Sequence, residues 1–516
     1  MRSVHPLVAV FAVAISAAGC ATTTQVGTET ATIPAPAPAP APTVAVIAPA
    51  PATMAITLST ESATARDEFL RGVRIGELEQ TATARAHFER AVAADPNFAL
   101  ARLYAAFYAP SAATFRANLD EAVRLADRAS PAEQLWIRAE AASLNNDVTG
   151  QLATLQELVK LTPNDPRAFG FLAAVQFNAG QRTEARATLE RAGQIDANFA
   201  PTWIQLGNSY LQSEPRDLEK AEVFIRKAVV LEPNEPYAHD YMGDFYRAVN
   251  KLPDARASYT RMIELDPSRA GAYQQRGHVN SFLGNFAEAR ADYDKAIALA
   301  DPIDKPSFAV YRALVNVYEG NAVAAETELD QVVASVDALN IPNAVGSKIF
   351  ALNEQATIAI HNKHFDVAQR AVDQLRGLYR QQAATGGTDA LKRYNEANIA
   401  YWEGLLAAKR GDFATARTKA KEMMTHREPD RSPRKNESAH ELLGLADLFE
   451  GKHAPAIAHF AESNPDNIYV IYHLALALEG AGRTEEAKLL FKRVASENFS
   501  SADRALVRAE AAKRAL

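Results

Sequence analysis

The residue with the most distinctive chemistry is Cys20, the only cysteine in the 516-residue chain. A thiol can be a buried apolar group, a nucleophile or a point of covalent attachment, and its surroundings decide among these roles. Cys20 follows four small residues and a short apolar run that starts at Pro6, and Arg2 places a positive charge before that run. This layout is typical of an export signal, predicted here over residues 1–19, and the run is too short to span a bilayer.

The stretch Ala17-Ala18-Gly19-Cys20 resembles the signal of bacterial lipoproteins, in which small residues precede an invariant cysteine. That family most often has Leu where this chain has Ala17. The resemblance implies that Cys20 receives a diacylglycerol thioether, becomes the new N-terminus and is then acylated, for example with palmitate. Ala21, in place of Asp, implies the outer membrane, facing the periplasm. The alternative is ordinary cleavage after Ala18, which would release a soluble periplasmic protein.

A proline-rich stretch follows the cysteine. From Pro34 to Pro42 the chain alternates Pro and Ala. Proline fixes φ and lacks an amide donor, so this stretch favours polyproline-II geometry at about 3.1 Å per residue. Residues 20–60 are therefore predicted to be the lipidated N-terminus and a stiff or solvated tether, with the folded part starting near residue 65.

Other candidates for chemistry are few. The net charge is −7, and that balance gives no basic footprint for nucleic acid. No phosphate-binding loop, zinc-protease, nucleophile-elbow or EF-hand pattern occurs. His361 and His364 are three apart and could share a metal, but no third ligand is suggested, so both are interpreted as surface residues. The stretch 426–435 mixes both charge signs and is interpreted as a solvated loop. We predict no catalytic residue, no cofactor and no metal.

The elements that must position any binding residues come from a repeat. Three segments of 34 residues, 166–199, 236–269 and 270–303, align without gaps. Each has a small residue at its eighth place, alanine at its twentieth and a bulky residue at its twenty-fourth. The residues at the eighth place are Ala173, Gly243 and Gly277. Those at the twentieth place are Ala185, Ala255 and Ala289, and those at the twenty-fourth place are Leu189, Tyr259 and Tyr293.

These places define two amphipathic helices that approach closely at the small residues. Glycine after the first helix accepts positive φ, and proline stops the second helix. The pattern resembles the tetratricopeptide repeat. Residues 200–235 also follow it, with a two-residue insertion near Pro215.

Weaker copies follow in the same phase on both sides. The resemblance implies an all-α fold, a right-handed superhelical solenoid of about twelve helix hairpins over residues 65–501. A charged, amphipathic segment at 502–516 is predicted to be the capping helix that a solenoid needs to cover its last core. The weaker copies are expected at 65–98, 99–131, 132–165, 306–339, 349–382, 397–430, 437–467 and 468–501.

The resemblance also implies a groove lined by the first helix of each repeat, mainly through its places 2, 5, 9, 12 and 13. The groove carries carboxylates, amides and aromatic edges, which suit hydrogen bonds to an extended and preferably cationic chain. A merely soluble concave face is the alternative. The candidate partner-binding residues are Asn208, Tyr237, Asp240, Asp244, Arg247, Gln274, His278 and Phe282.

The leading functional hypothesis is a cell-envelope lipoprotein that acts as a scaffold for a protein or extended peptide, without catalysis of its own. A second is an accessory subunit of a secretion, pilus or envelope-biogenesis machine. The remaining alternatives are a soluble periplasmic enzyme and a small-molecule binder. The last would use aromatic residues of the weak repeats, although these are more typical of a core: Tyr104, Phe107, Tyr108 and Trp136.

Overall fold

Helices account for nearly all regular structure in the computed structural model, which describes residues 52–78, 80–213 and 215–516. These residues form 25 α-helices and no strand. Consecutive helices pack in pairs, giving twelve hairpins and one final helix. The predicted all-α solenoid with a C-terminal capping helix is confirmed.

The first six hairpins cover the N-terminal half of the solenoid. A 3₁₀ turn at Ala126–Arg128 follows the second hairpin. Their helices are α1 (Ala63–Glu77), α2 (Thr81–Ala94), α3 (Ala99–Phe107), α4 (Ala112–Leu125), α5 (Pro131–Leu144), α6 (Val148–Leu161), α7 (Pro166–Asn178), α8 (Arg182–Ile195), α9 (Ala200–Gln212), α10 (Leu218–Leu231), α11 (Pro236–Ala248) and α12 (Leu252–Leu265).

The last six hairpins and the final helix complete the chain. A 3₁₀ turn at Val336–Leu339 follows the eighth hairpin. Their helices are α13 (Ala270–Leu283), α14 (Phe286–Leu299), α15 (Lys305–Tyr318), α16 (Ala322–Ser335), α17 (Ala344–His361), α18 (Phe365–Gly386), α19 (Asp389–Arg410), α20 (Phe413–Arg427), α21 (Glu437–Phe449), α22 (His453–Ala461), α23 (Ile468–Gly480), α24 (Thr484–Ala495) and α25 (Ala502–Arg514).

Local signals set the helix ends. Ser130 and Glu133 form a reciprocal capping box at the start of α5, and Pro131 occupies its first position. That arrangement satisfies amides that have no partner inside the helix. Gly284 ends α13 with φ of 80°, a left-handed conformation that costs glycine nothing.

The interior of each hairpin is built as the repeat predicts. Ala185, Ala255 and Ala289 are all fully buried between paired helices. A Cβ at Gly243 would lie 2.4 Å from the ring of Tyr259, so only glycine lets α11 and α12 approach this closely. The small and bulky places of the repeat are therefore core positions.

Two consecutive helices, one from hairpin 9 and one from hairpin 10, are longer than the repeat predicts. The helices α18 and α19 have 22 residues each, against 14 in both α14 and α16. Residues 383–396, which no repeat copy explains, extend the end of α18 and the start of α19. Gly387 connects them with φ of 74°.

Residues 52–60 lie against the first four hairpins in an extended conformation. The amide of Ala52 donates to the carbonyl of Leu70 at 3.1 Å. The amide of Ser130 donates to Ser59 Oγ at 2.6 Å, and Arg167 donates to the carbonyl of Thr53 at 2.9 Å. The composition of this segment assigns it to the tether, but its alternating apolar residues give it a face that packs on the core.

Hairpins far apart in the chain also touch. Arg74 of α1 forms an ion pair with Glu232 at 2.8 Å, and Arg182 of α8 forms one with Asp466 at 3.3 Å. The solenoid therefore curves enough to bring distant turns together. In the part of the chain that the structure describes, no helix combines the length and apolar character that crossing a membrane requires.

The predictions for the N-terminus lie largely outside the described residues. The export signal, lipidation at Cys20 and the tether up to residue 51 belong to this part of the chain. They stay predictions.

Candidate binding groove

The first helix of each hairpin lines the inner surface of the solenoid. We call the part formed by α11, α13, α15 and α17 the inner groove. All the predicted binding residues except Asn208, on α9, lie on α11 or α13. Binding by these residues stays a prediction, but the structure shows what each side chain contacts.

Asp244 and Arg247 form a buried ion pair on α11, with 0% and 1% of each residue exposed. Tyr259 Oη donates to Asp244 Oδ1 at 2.6 Å. The guanidinium of Arg247 lies 4.7 Å from the ring centroid of Phe499, near the C-terminus. This cluster joins the groove floor to a segment about 250 residues further along the chain.

Asp240 and Tyr237 are also engaged. Gln275 Nε2 donates to Asp240 Oδ1 at 3.1 Å. Tyr237 is 1% exposed, and its hydroxyl donates a hydrogen bond to the carboxylate of Glu232. Burial and the Glu232 carboxylate raise the pKa of Tyr237, so its phenol stays protonated.

The α13 residues divide into a buried and a half-buried set. His278 Nδ1 lies 2.6 Å from Tyr293 Oη, and its ring meets Tyr311 edge-on at 4.7 Å. Gln274 is half-buried beside His278, and Phe282 is half-buried beside Arg508. On α9, Asn208 is half-buried and its Oδ1 has no hydrogen-bond partner in the described part of the chain.

The expected preference for a cationic chain needs correction. It depends on Asp240 and Asp244 as paired open carboxylates. The structure instead places Arg247 one turn from Asp244, where it neutralises that charge inside the protein. Gln274, Phe282 and Asn208 keep more exposed surface, so the open part of the predicted set is amide and aromatic.

The inner surface continues along hairpins 9 to 12 with residues that the prediction missed. Tyr401 Oη donates to Glu441 Oε1 at 2.9 Å, and burial raises the pKa of Glu441 to about 7. Tyr469 Oη lies 3.1 Å from His361 Nδ1. Tyr401 and Glu441 occupy place 5 of their copies and Tyr469 occupies place 2. Extending the same mapping beyond residue 303 would have found all three.

His361 and His364 do not share a site. His361 contacts Tyr469 in the inner surface, whereas His364 Nδ1 lies 2.8 Å from Glu326 Oε1. Both histidines are half-buried, and burial lowers the pKa of His361 to about 4. Among residues 52–78, 80–213 and 215–516, no three potential ligands cluster as a metal site requires.

The aromatic residues considered for a small-molecule pocket are core residues. Tyr104, Phe107, Tyr108 and Trp136 are all at most 6% exposed and share one hydrophobic cluster. Tyr104 meets Phe107 edge-on with centroids 5.6 Å apart. These rings fill the space between hairpins 1 to 4.

Comparison with known proteins identifies the repeats. Residues 270–301 and residues 469–498 each match the tetratricopeptide repeat family. The first match lies on α13 and α14 and the second on α23 and α24. The chain therefore contains tetratricopeptide repeats in both halves of the solenoid, and the resemblance drawn from the small and bulky places is confirmed.

Among curated proteins, the chain is 29% identical over 156 residues to cellulose synthase operon protein C of Xanthomonas axonopodis pv. citri. It is 28% identical over 152 residues to the protein O-mannosyl-transferase TMTC1 of Homo sapiens. Each match covers 29% of this chain. The chain spans only 10% and 17% of the length of these two relatives.

Solved structures include similar helical arrays. Yeast Tom70 covers 84% of this chain and 97% of its own, with 16% identity and a TM-score of 0.43. A thermophilic tetratricopeptide repeat protein of Thermus thermophilus, TTC0263, covers 35% and 96%, with 21% identity and a TM-score of 0.31. At these values the likeness carries no functional argument.

Proposed function

We propose that the chain is a lipid-anchored cell-envelope scaffold that binds a protein or extended peptide through the inner surface of its solenoid, without catalysis of its own. The observation that carries this proposal is the composition of that surface. It offers amides, aromatic edges and buried polar clusters along several hairpins, and it already holds a peptide segment, the C-terminal part of this chain. A long surface of this kind suits a long partner.

Crosslinking in cells tests the binding surface. A photoreactive amino acid at Gln274 or Asn208, both half-buried, reports on the inner surface. The same group at Val230, which is 77% exposed on the second helix α10, is the control. We expect a discrete adduct from the inner positions only. The same adducts from Val230, or none from the inner positions, would contradict the proposal.

The anchor is tested separately. Replacing the predicted acylation site, Cys20→Ser, is expected to abolish partition of the protein into the detergent phase, because acyl chains supply the membrane affinity. The unchanged protein is the control. If the variant still partitions into detergent, lipidation at Cys20 is wrong.

A second candidate is an accessory subunit of an envelope machine. The similarity to a cellulose synthase operon protein over 156 residues favours it. Affinity purification from solubilised envelopes distinguishes the two. Co-purification of a multi-subunit membrane complex supports the accessory role, whereas a single partner supports the simple scaffold.

A further inference from the structure

The final helix α25 has two packing faces. Val507 and Ala511 pack with α23 and α24, which is the contact a cap requires. Ala502 and Ala505 belong instead to a cluster with α15 and α17, inside the inner groove. A cap for the last hairpin explains the first face and leaves the second unexplained.

The segment before α25 adds specific polar contacts with the groove. Asn498 is fully buried, and its Nδ2 donates to the carbonyl of Arg247 at 2.8 Å and to Asn250 Oδ1 at 2.9 Å. Arg508 Nη2 donates to Asn498 Oδ1 at 2.6 Å. The Asn498 nitrogen is therefore held by groove residues only when the segment is docked, whereas its oxygen accepts from Arg508 of the segment itself.

Further contacts extend over several hairpins. The amide of Ala502 donates to Glu354 Oε2 on α17 at 2.7 Å. The guanidinium of Arg508 lies 5.3 Å from the ring centroid of Phe282, a predicted groove residue. Glu497 forms an ion pair with Arg216 at 3.6 Å, before α10. One short segment thus engages residues from the fifth hairpin to the ninth.

We propose that residues 496–514 are an internal ligand of the inner groove, and that a partner reaches hairpins 6 to 9 only when this segment leaves. The inference rests on the proposed function, since it treats the groove as a peptide-binding surface. The docked segment also indicates which peptides the groove selects. Such a peptide has an asparagine and an aromatic residue in an extended chain. A helix follows, with small apolar residues on one edge and an arginine beside them.

The composition of the contact makes exchange feasible. The face that enters the groove presents buried alanines and hydrogen-bonding groups, and its larger apolar side chains, Phe499 and Leu506, are only half-buried. Residues 497–501 have no regular secondary structure and connect α24 to α25 as a short linker. A tethered segment competes at an effective concentration on the order of millimolar, so a free peptide binds measurably only after docking is weakened.

The test uses the full chain and a labelled synthetic peptide of residues 496–516. Ala505→Arg places a long charged side chain on the groove face, whereas Ala512→Arg places it on an exposed position of the same helix. We expect Ala505→Arg to bind the peptide about tenfold more tightly than the unchanged protein or Ala512→Arg, because only this variant opens the groove. A peptide that itself carries Ala505→Arg is expected not to bind.

Hydrogen exchange of the same variants completes the test. The amide of Ala502, which donates to Glu354 on α17, should lose protection in Ala505→Arg and keep it in Ala512→Arg. Unchanged protection, or equal peptide binding by all variants, overturns the proposal. Asn498→Asp, which replaces a donating amide by a carboxylate, is measured in the same way and decides the matter if Ala505→Arg does not fold. This experiment uses a supplied peptide and does not depend on the cellular partner. A negative result here would therefore overturn the internal ligand without affecting the crosslinking test of the scaffold, and a negative crosslinking result would not affect this experiment.

Discussion

The two ends of the solenoid are both covered by segments of the same chain, but by different means. At the N-terminal end, residues 52–60 cross hairpins 1 to 4 as an extended strap, held largely through its backbone groups and serines. At the C-terminal end, α25 enters the inner groove and is held by side chains such as Asn498 and Arg508. Backbone contacts tolerate many sequences, whereas side-chain contacts select one. The contacts of the C-terminal segment therefore depend on its sequence more than those of the strap do.

Three buried carboxyl groups with raised pKa values differ in their contacts. Glu140, on α5, is fully buried and neither of its oxygens has a hydrogen-bond partner among the described residues. Glu441 accepts from Tyr401, and Glu354 accepts from the amide of Ala502. Burial, with the nearby Asp503 carboxylate, raises the pKa of Glu354 to about 7. Of these three carboxyls, Glu441 and Glu354 have hydrogen-bond partners among the described residues, and the partner of Glu354 belongs to the docked segment.

The largest expected effect concerns packing between the two helices of one hairpin. Ala255→Arg inserts a long side chain between α11 and α12, at a fully buried position. Since milder overpacking costs roughly 1–3 kcal/mol, we expect a loss of roughly 3 kcal/mol or more in the free energy of unfolding. Ala257→Arg, on the exposed side of α12, is the control in urea denaturation followed by circular dichroism. Equal midpoints for the two variants would contradict the packing described here.

The second prediction concerns the buried acid of the N-terminal region. Burial raises the pKa of Glu140 from its ordinary value near 4.5 to about 8. The folded protein therefore holds the proton over a pH range in which the unfolded chain releases it, and stability falls as pH rises from about 4.5 to about 8.

Glu140→Gln should remove much of this pH dependence, which amounts to roughly 1.4 kcal/mol for each pKa unit. The measurement is the urea midpoint at pH 5 and pH 9. Glu157→Gln, at an exposed position of α6, is the control. If the Glu140 variant keeps the full pH dependence of the unchanged protein, the buried carboxyl is not its source.

The smallest expected effect concerns the N-terminal strap. Ile56 packs against the first hydrophobic cluster, whereas its neighbour Thr57 points to solvent. Ile56→Asp should cost roughly 1–3 kcal/mol of local stability, because it places a charge on an apolar contact. Hydrogen exchange of α1 amides measures this as faster local opening. Thr57→Asp should leave those rates unchanged, and similar rates for the two variants would mean that the strap does not stabilise hairpin 1.

The repeat could be predicted because its determinants are local. Ala255 and Tyr259 are one turn apart, so spacing alone places them on the same helix face. The contacts of the groove side chains could be predicted less well, because several of them join residues far apart in the chain. The sequence indicates Asp244 as an open carboxylate of the groove, whereas in the structure Arg247 neutralises it and Phe499 of the C-terminal segment covers Arg247. The ion pair could have been anticipated from its spacing of three residues, but the contact with Phe499 could not.

The sequence by itself determined the helix hairpins, their number and the final helix, because each depends on residues within about one repeat of each other. Only the tertiary structure decided where the two end segments lie. Their positions depend on how far the solenoid curves, and curvature is the sum of small rotations between successive hairpins. No single repeat encodes that sum, so the meeting of Asn498 with Arg247 appears only in the folded chain.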